Sequence, residues 1–390
     1  MANLITEVAS QSIFGRIGKS FVGMLIGFFL FIGAVVLLFW NEGRAVATAK
    51  SLREGAATVI DVPSDNINPA NDSKLIHVTG DTAAAEPIED PVFNISESAI
   101  RLRRNVEVYE WKEKKESKSR DKVGGGKETV TNYTYEKVWS PELLKSSSFK
   151  SPDDHRNPGK LEVPKKEFIA KNVTLGQFKL TSQIIGKMPG DETLDATEER
   201  LSKVSEDLQS KLKVDGDRFY LGGDPENPEI GDEKISFTVL RPGPVSIVAA
   251  QTKQSFAPYV TKNEREIELV EAGSVSAPQM FVHAHAANRT LTWILRAVGF
   301  GAMFFAGMLA LGPISAFARI LPFLGSLVEI GFAIVSFLLS AIVSLLVIAT
   351  AWIFYRPLWG VAFILAAIAC IVMLKRLHTR RAPTPPPLPA

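Results

Sequence analysis

The sequence predicts an α-helical integral membrane protein of four spans, with a β-rich α+β extracytoplasmic domain inserted between spans 1 and 2. Three observations carry that expectation. Residues 41–291 hold 35 of the 44 Lys and Arg and 40 of the 42 Asp and Glu, which leaves 9 basic and 2 acidic side chains for the other 139 residues. The flanking regions contain apolar runs long enough to cross a hydrocarbon layer of about 30 Å, which takes roughly 20 helical residues. The insertion is built of short segments rich in Val, Ile, Tyr and Trp, punctuated by Gly, Pro and Asp. A wholly soluble enzyme and a secreted protein with only a signal peptide are excluded. A disulfide scaffold is excluded too, because the sole cysteine, Cys370, lies in an apolar run.

Residues 1–19 read as a cytoplasmic N-terminus carrying Arg16 and Lys19. The first span is 20–41, uncharged and ending on Trp40, an aromatic suited to the interface. As a signal peptide its apolar core would be about twice the usual 7–15 residues, and Glu42 and Arg44 crowd the Ala45-Val-Ala47 site. It is therefore expected to stay as an anchor. Gly23-Met-Leu-Ile-Gly27 is a small-xxx-small pattern that lets another helix approach closely, within the chain or between protomers.

Residues 42–291 form the β-rich domain. Lys74–Thr79 alternates and meets a Gly80-Asp81 turn; Ile100–Lys112 and Thr129–Trp139 flank Lys114–Lys127, which reads as a mobile hairpin tip. A further strand begins near Gly176–Leu180. Lys234–Leu240 and Val245–Gln251 bracket the turn Arg241-Pro-Gly-Pro244. One amphipathic helix is expected near 196–213, with Leu201, Val204, Leu208 and Leu212 on one stripe and Asp195 with Glu198 as a capping box. The segments Pro63–Ala70 and Ser151–Gly159 are polar loops.

The second span is 293–314. An apolar stretch from Ile320 to Tyr355 would be about 54 Å long as one helix, too long for one crossing. Pro322 and Gly325 offer a break, so 315–328 reads as an interfacial or re-entrant segment and 330–355 as the third span. Arg356-Pro357 turns the chain into a fourth span, 357–374, and 375–390 is a basic, Pro-rich cytoplasmic tail. The basic residues Arg16, Lys19, Arg319, Lys375, Arg376, Arg380 and Arg381 fall on one side of four spans. Both termini are then cytoplasmic, and the insertion, of net charge 35 − 40 = −5, faces the other way.

No reactive constellation stands out. Gly18-Lys19-Ser20 lacks the first glycine of a phosphate loop, since residue 13 is Ile13. His283-Ala-His285 would share a face only if extended, and it lacks a third ligand. Asp153-Asp154-His155 reads as a solvated loop. No catalytic residue, cofactor or metal is assigned. Ionisable groups near the spans are the functional candidates, namely Arg296, Glu329 and Arg356, either interfacial or lining a polar cavity. Sequons begin at Asn71, Asn94, Asn132, Asn172 and Asn288.

The chain resembles the LUMA family, also called transmembrane protein 43. The resemblance rests on Asn41-Glu42-Gly43-Arg44 after the first span, Tyr109-Glu-Trp111, Tyr135-Glu-Lys137, Gly231-Asp-Glu-Lys-Ile-Ser-Phe237, Leu295-Arg-Ala297 and Trp352-Ile-Phe-Tyr-Arg-Pro-Leu-Trp359. Leu327-Val-Glu-Ile330 departs from the family pattern, so no role for Glu329 carries over. The resemblance implies the same four-span topology. Eukaryotic members lie in the endoplasmic reticulum and inner nuclear membrane, self-associate, and bind lamins and emerin; a bacterial member would sit in the inner membrane.

The expected function is a non-enzymatic membrane scaffold. It would self-associate through its spans, with Gly23 and Gly27 as the association face, and bind a membrane or extracytoplasmic protein through its domain. Membrane lipids are expected partners and nucleic acid is not. The alternatives are a lipid-binding sensor or lipid-metabolising enzyme with an intramembrane chamber and, behind that, a channel or transporter.

Overall fold

The computed structural model describes residues 4–122, 126–318 and 322–356. The chain divides into two compact units. One is β-rich and is made of residues 4–11, 51–120 and 127–285; the other is helical and is drawn mainly from 12–50 and 286–356.

Seven α-helices are present among the described residues: α1 Ile13–Thr58, α2 Ser182–Lys187, α3 Glu198–Leu201, α4 Glu206–Gln209, α5 Ala277–Ala310, α6 Gly312–Ala318 and α7 Pro322–Tyr355. Three of them, α1, α5 and the Val328–Tyr355 part of α7, are long and apolar enough to cross a membrane. The expected spans 20–41, 293–314 and 330–355 fall largely within these helices, which run further than the apolar segments require. Residues 42–58, rich in Ala, Glu, Lys and Arg, continue α1 as a helix because those residues have high intrinsic helix propensity. Within the expected interfacial or re-entrant segment 315–328, residues 315–318 end α6 and 322–328 begin α7, whose first residue is Pro322, a position where its missing N–H is harmless. The fourth span, 357–374, and the tail, 375–390, lie outside the described residues.

The β-rich unit holds two large sheets. In one, Leu4–Gln11 lies at an edge, followed by Lys127–Ser140, Arg101–Asp121, Glu233–Leu240, Arg218–Leu221 and Leu212–Asp215, with Glu192–Leu194 and Lys166–Ile169 pairing alongside. Its alternating residues Leu102, Val106, Ile235, Phe237 and Val239 pack with Phe93 and Phe219 into one core. The other sheet centres on Pro244–Thr252, paired antiparallel with Leu75–Ala84 and Leu269–Ala272. Ile76, Val78, Ile247 and Ala249 on one face pack with Ile184 and Ile185 of α2. Leu75 and Val248 on the opposite face pack with Leu52 of α1 and Met280 and Phe281 of α5. The Arg241-Pro-Gly-Pro244 turn does not close a hairpin. It carries the chain from the first sheet, which it leaves at Leu240, into the second, which it joins at Pro244.

Four expectations are corrected. The helix near 196–213 is two single turns, α3 and α4, and then a strand. The apolar stripe is real, for Val204 and Leu212 are buried and Leu201 and Leu208 pack against the same core. However, Leu212–Asp215 is drawn into a hairpin with Arg218–Leu221, closed by Gly216 at φ +63° and Asp217. The cap of α3 is Thr197, whose hydroxyl accepts from Arg200 N, and not Asp195. Lys114–Lys127 is mostly ladder, with Ser117 and Thr131 bonded at 3.0 Å and Ser119 and Thr129 at 2.9 Å. Finally, the β-rich unit is not confined to 42–291, for it includes part of the N-terminal stretch. Its residues Leu4–Gln11 pair antiparallel with residues 127–134, Thr6 opposite Asn132.

One glycine is fixed by geometry. Gly176 sits at φ +56°, and a Cβ there would lie 2.2 Å from Ser64 O.

Candidate functional site

The polar residues after the first apolar run assemble against α5 and α7. Asn41 and Glu42 are fully buried. On α5, Asn288, Thr292 and Arg296 recur at i, i+4 and i+8, which places them on one face. Asn41 Nδ2 donates to Thr292 O at 3.0 Å, and its Oδ1 accepts from Arg44 Nε at 3.3 Å and Nη2 at 3.2 Å. Arg44 also donates from Nη1 to Asn288 Oδ1 and from Nη2 to Thr292 Oγ1, both at 2.9 Å. Asn288 Nδ2 returns a bond to Ala45 O at 3.0 Å. With both ends of its amide in use, Asn288 is unsuited to carry a glycan.

Glu42 is the centre of the cluster. Arg296 Nε donates to its Oε1 at 2.6 Å and Nη2 to its Oε2 at 2.9 Å, a bidentate fork of the strong kind. Trp352 Nε1 on α7 adds a third donor to Oε2 at 2.8 Å. The Arg296 guanidinium lies 4.8 Å over the Trp293 ring and 6.0 Å from that of Trp352, and Arg356 covers Trp352 at 5.2 Å. Gly43 leaves room for Tyr355, because a Cβ there would lie 2.6 Å from its ring. A buried carboxylate held by three fixed donors from two other helices is a lock between helices.

Of the three ionisable candidates, Arg296 and Arg356 meet at Trp352. Glu329 does not join them; it accepts from Ser315 Oγ on α6 at 3.4 Å and sits roughly 35 Å further along α7. The other candidate face, Gly23 and Gly27, packs within the chain. A Cβ on Gly27 would lie 2.9 Å from both Ala306 O and Leu309 Cβ, and one on Gly23 would lie 3.6 Å from Leu309. Sequence reasoning missed a stripe on α7. Ser336, Ser340 and Ser344 are buried at i, i+4 and i+8, with Ser336 against Gly307 and Ser344 Oγ donating to Met303 Sδ at 3.3 Å. Small residues there let α5 and α7 approach closely. Between α1 and α7 a groove of about 520 Å³ is lined by Val35, Phe39, Trp40, Val343, Val347 and Tyr355 among others.

In the β-rich unit the quoted motifs are structural anchors. Buried Glu110 accepts from Leu144 N at 3.1 and 3.0 Å, and burial pushes its carboxyl up from the ordinary range. Buried Glu233 accepts from Glu162 N at 2.5 Å and Val163 N at 3.0 Å, and burial raises it likewise. Tyr220 donates to Asp232, and burial with that bond raises its phenol. His155, expected in a solvated loop, is buried, stacked 3.6 Å from Tyr135 and edge-on to Trp111. His283 and His285 lie on helical α5, where residues two apart point to different faces, and His283 instead pairs with Glu271 at 2.9 Å. Gly18-Lys19-Ser20 is helical. Among the described residues no group of three metal-ligating side chains converges.

The family model for transmembrane protein 43 matches residues 108–357. Human transmembrane protein 43 is 32% identical over 370 residues, covering 92% of this chain and 90% of the human protein. The mouse protein is 31% identical over 387 residues, 96% of this chain and 94% of its own length. The Drosophila melanogaster homolog is 27% identical over 359 residues, 90% of this chain and 94% of its own. No solved structure matches the chain.

Proposed function

The chain belongs to the transmembrane protein 43 family and is a multi-pass membrane protein, and on that premise we propose that it is a non-enzymatic membrane scaffold whose locked helices carry a β-rich domain for partner binding. The observation that supports this reading is the buried Glu42–Arg296–Trp352 lock. Such a triad ties three helices together through one buried carboxylate and fixes their register. Because Gly23 and Gly27 are occupied within the chain, self-association would use other faces of α1, α5 and α7, where large apolar side chains such as Phe29, Ile294 and Phe337 are exposed. The basic residues that flank the short loops support a domain outside the cytoplasm, and the pairing of Leu4–Gln11 with residues 127–134 argues against it, because the first apolar run separates the two strands in sequence.

The apolar groove between α1 and α7 favours a second reading, a lipid-binding sensor with an acyl chain beside Phe39 and Val347. Native mass spectrometry of the full chain released from gentle detergent separates the two. A defined oligomer without stoichiometric lipid is expected of a scaffold. A monomer retaining one specific lipid overturns it in favour of the sensor.

A further inference from the structure

We propose that His77 is a buried imidazolium that serves as a pH-operated latch, joining the segment that leaves α1 to the segment that enters α5. The side chain is 9% exposed and belongs to the Leu75–Ala84 strand. Its Nδ1 lies 2.6 Å from Asp61 Oδ1, on the two-residue strand Ile60–Asp61 just beyond the end of α1 at Thr58. Its Nε2 lies 2.9 Å from Val275 O, two residues before α5 begins at Ala277. One side chain thus holds both connections.

The protonation state follows from counting donors. Val275 O can only accept, so Nε2 must carry a proton. Thr79 Oγ1, 3.2 Å from the same nitrogen, does not relax that requirement. Ser246 Oγ donates to Gly273 O at 2.8 Å and accepts from Val275 N at 2.8 Å, so at its 2.9 Å contact with Thr79 it is the Thr79 hydroxyl that donates. Thr79 is then an acceptor toward His77. On the other side Asp61 is open to water, with its side chain 81% exposed, and as a carboxylate it too can only accept. Both ring nitrogens must donate, which only the cation does.

The charged surroundings are few. The same face of the sheet carries Asp61 and, across Ser246 on the Leu269–Ala272 strand, Glu271, which is taken by His283 of α5. The end of α1 packs here through Leu52, and its Glu54 accepts from Lys262 N. Asp61 is therefore the counter-ion. When the ring loses its proton, Nε2–H keeps Val275 and the Nδ1 lone pair faces the Asp61 carboxylate. That contact becomes repulsive, and the Ile60–Asp61 strand is left with only its backbone pairing to the Leu75–Ala84 strand, including Val62 N to His77 O at 2.9 Å, so that it opens more readily. The latch is closed while the ring carries both protons and open once it has lost one.

The test uses the full chain in nanodiscs. Hydrogen exchange of residues 60–64, corrected for intrinsic rate, is expected to speed up about tenfold or more between pH 5 and pH 8, the scale of losing a charge-assisted bond. Asp61→Asn supplies an amide donor to a neutral ring and is expected to hold those residues protected at both pH values. A pH-independent wild type, or an Asp61→Asn chain that tracks the wild-type profile, overturns the latch. A second readout needs no folded variant of Asp61. Side-chain nitrogen NMR of the five histidines, with His77 assigned by its loss in His77→Gln, is expected to show both ring nitrogens protonated at pH 5. A neutral tautomer there overturns the proposal.

Discussion

Arg296 closes a two-pronged pair on Glu42, at 2.6 and 2.9 Å, between helices α5 and α1 and across 254 residues of sequence. Glu42 is 1% and Arg296 16% exposed at the side chain, so water contributes little to either. Two charges removed from water are tolerated because each pairs with the other and Trp352 adds a third donor to the carboxylate. Removing one partner strands the other, at about 3–5 kcal/mol.

Trp352→Phe deletes the third donor while keeping most of the ring. We expect a loss of about 1–3 kcal/mol of thermal stability in detergent, the scale of one bond to a charged acceptor. A Trp352→Phe chain as stable as wild type would mean that the indole N–H contributes nothing to the lock.

Gly27 and Gly23 should differ. Gly27→Ala meets the Ala306 carbonyl, a backbone atom that cannot swing aside, and is expected to destabilise the chain by about 1–3 kcal/mol. Gly23→Ala makes an ordinary contact with Leu309 and should be tolerated. Oligomeric state, read by light scattering, should be the same for both. A change in stoichiometry without loss of stability would move this face to an intermolecular role.

Glu233 sets a pH slope. Burial holds its carboxyl above the ordinary value of 4.5 in the folded domain, so above 4.5 the native state keeps a proton that the unfolded chain has lost. Stability therefore falls as pH rises from 4.5 through the raised folded value, and Glu110 contributes with the same sign. Denaturant midpoints taken from pH 4.5 upward should decline, and Glu233→Gln should flatten part of that decline even though its baseline is lower. An unchanged slope in the variant would remove Glu233 as a source.

Thr6 and Asn132 are directly opposed, with Thr6 Oγ1 donating to Asn132 Oδ1 at 3.0 Å. Thr6→Cys with Asn132→Cys, in a Cys370→Ser background, should cross-link under mild oxidant in intact membranes. Because the first apolar run lies between the two positions in sequence, absence of the cross-link in membranes, with its appearance in detergent, would place them on opposite sides.

The apolar runs were legible because a bilayer demands their length, and strands such as Lys234–Leu240 because period-2 alternation reports one buried face. The stripe through Leu201, Val204, Leu208 and Leu212 was legible as buried but not as broken. Helical spacing alone does not show that Leu212–Asp215 finds a strand partner in Arg218–Leu221 beyond the Asp215-Gly216 turn. Asn41–Arg44 and Arg296 each stood out, yet their meeting depends on antiparallel packing of α1 and α5, which no local pattern encodes. Trp352 stands out only within a resemblance motif and Asn288 only as a sequon, and the serines of α7 not at all, because their partners exist only once the helices pack. His77 lay inside a recognised strand, and its partners at 61 and 275 come together only through the sheet.

The central claim is that Glu42 and Arg296 act as one unit. A double-mutant cycle measures it directly, comparing Glu42→Leu, Arg296→Met and the double substitution in the full chain by thermal unfolding in one detergent. Each single change is expected to destabilise by about 3–5 kcal/mol, and the double change by clearly less than their sum, because no unpaired charge remains. Additive losses, or single substitutions without effect, would contradict it.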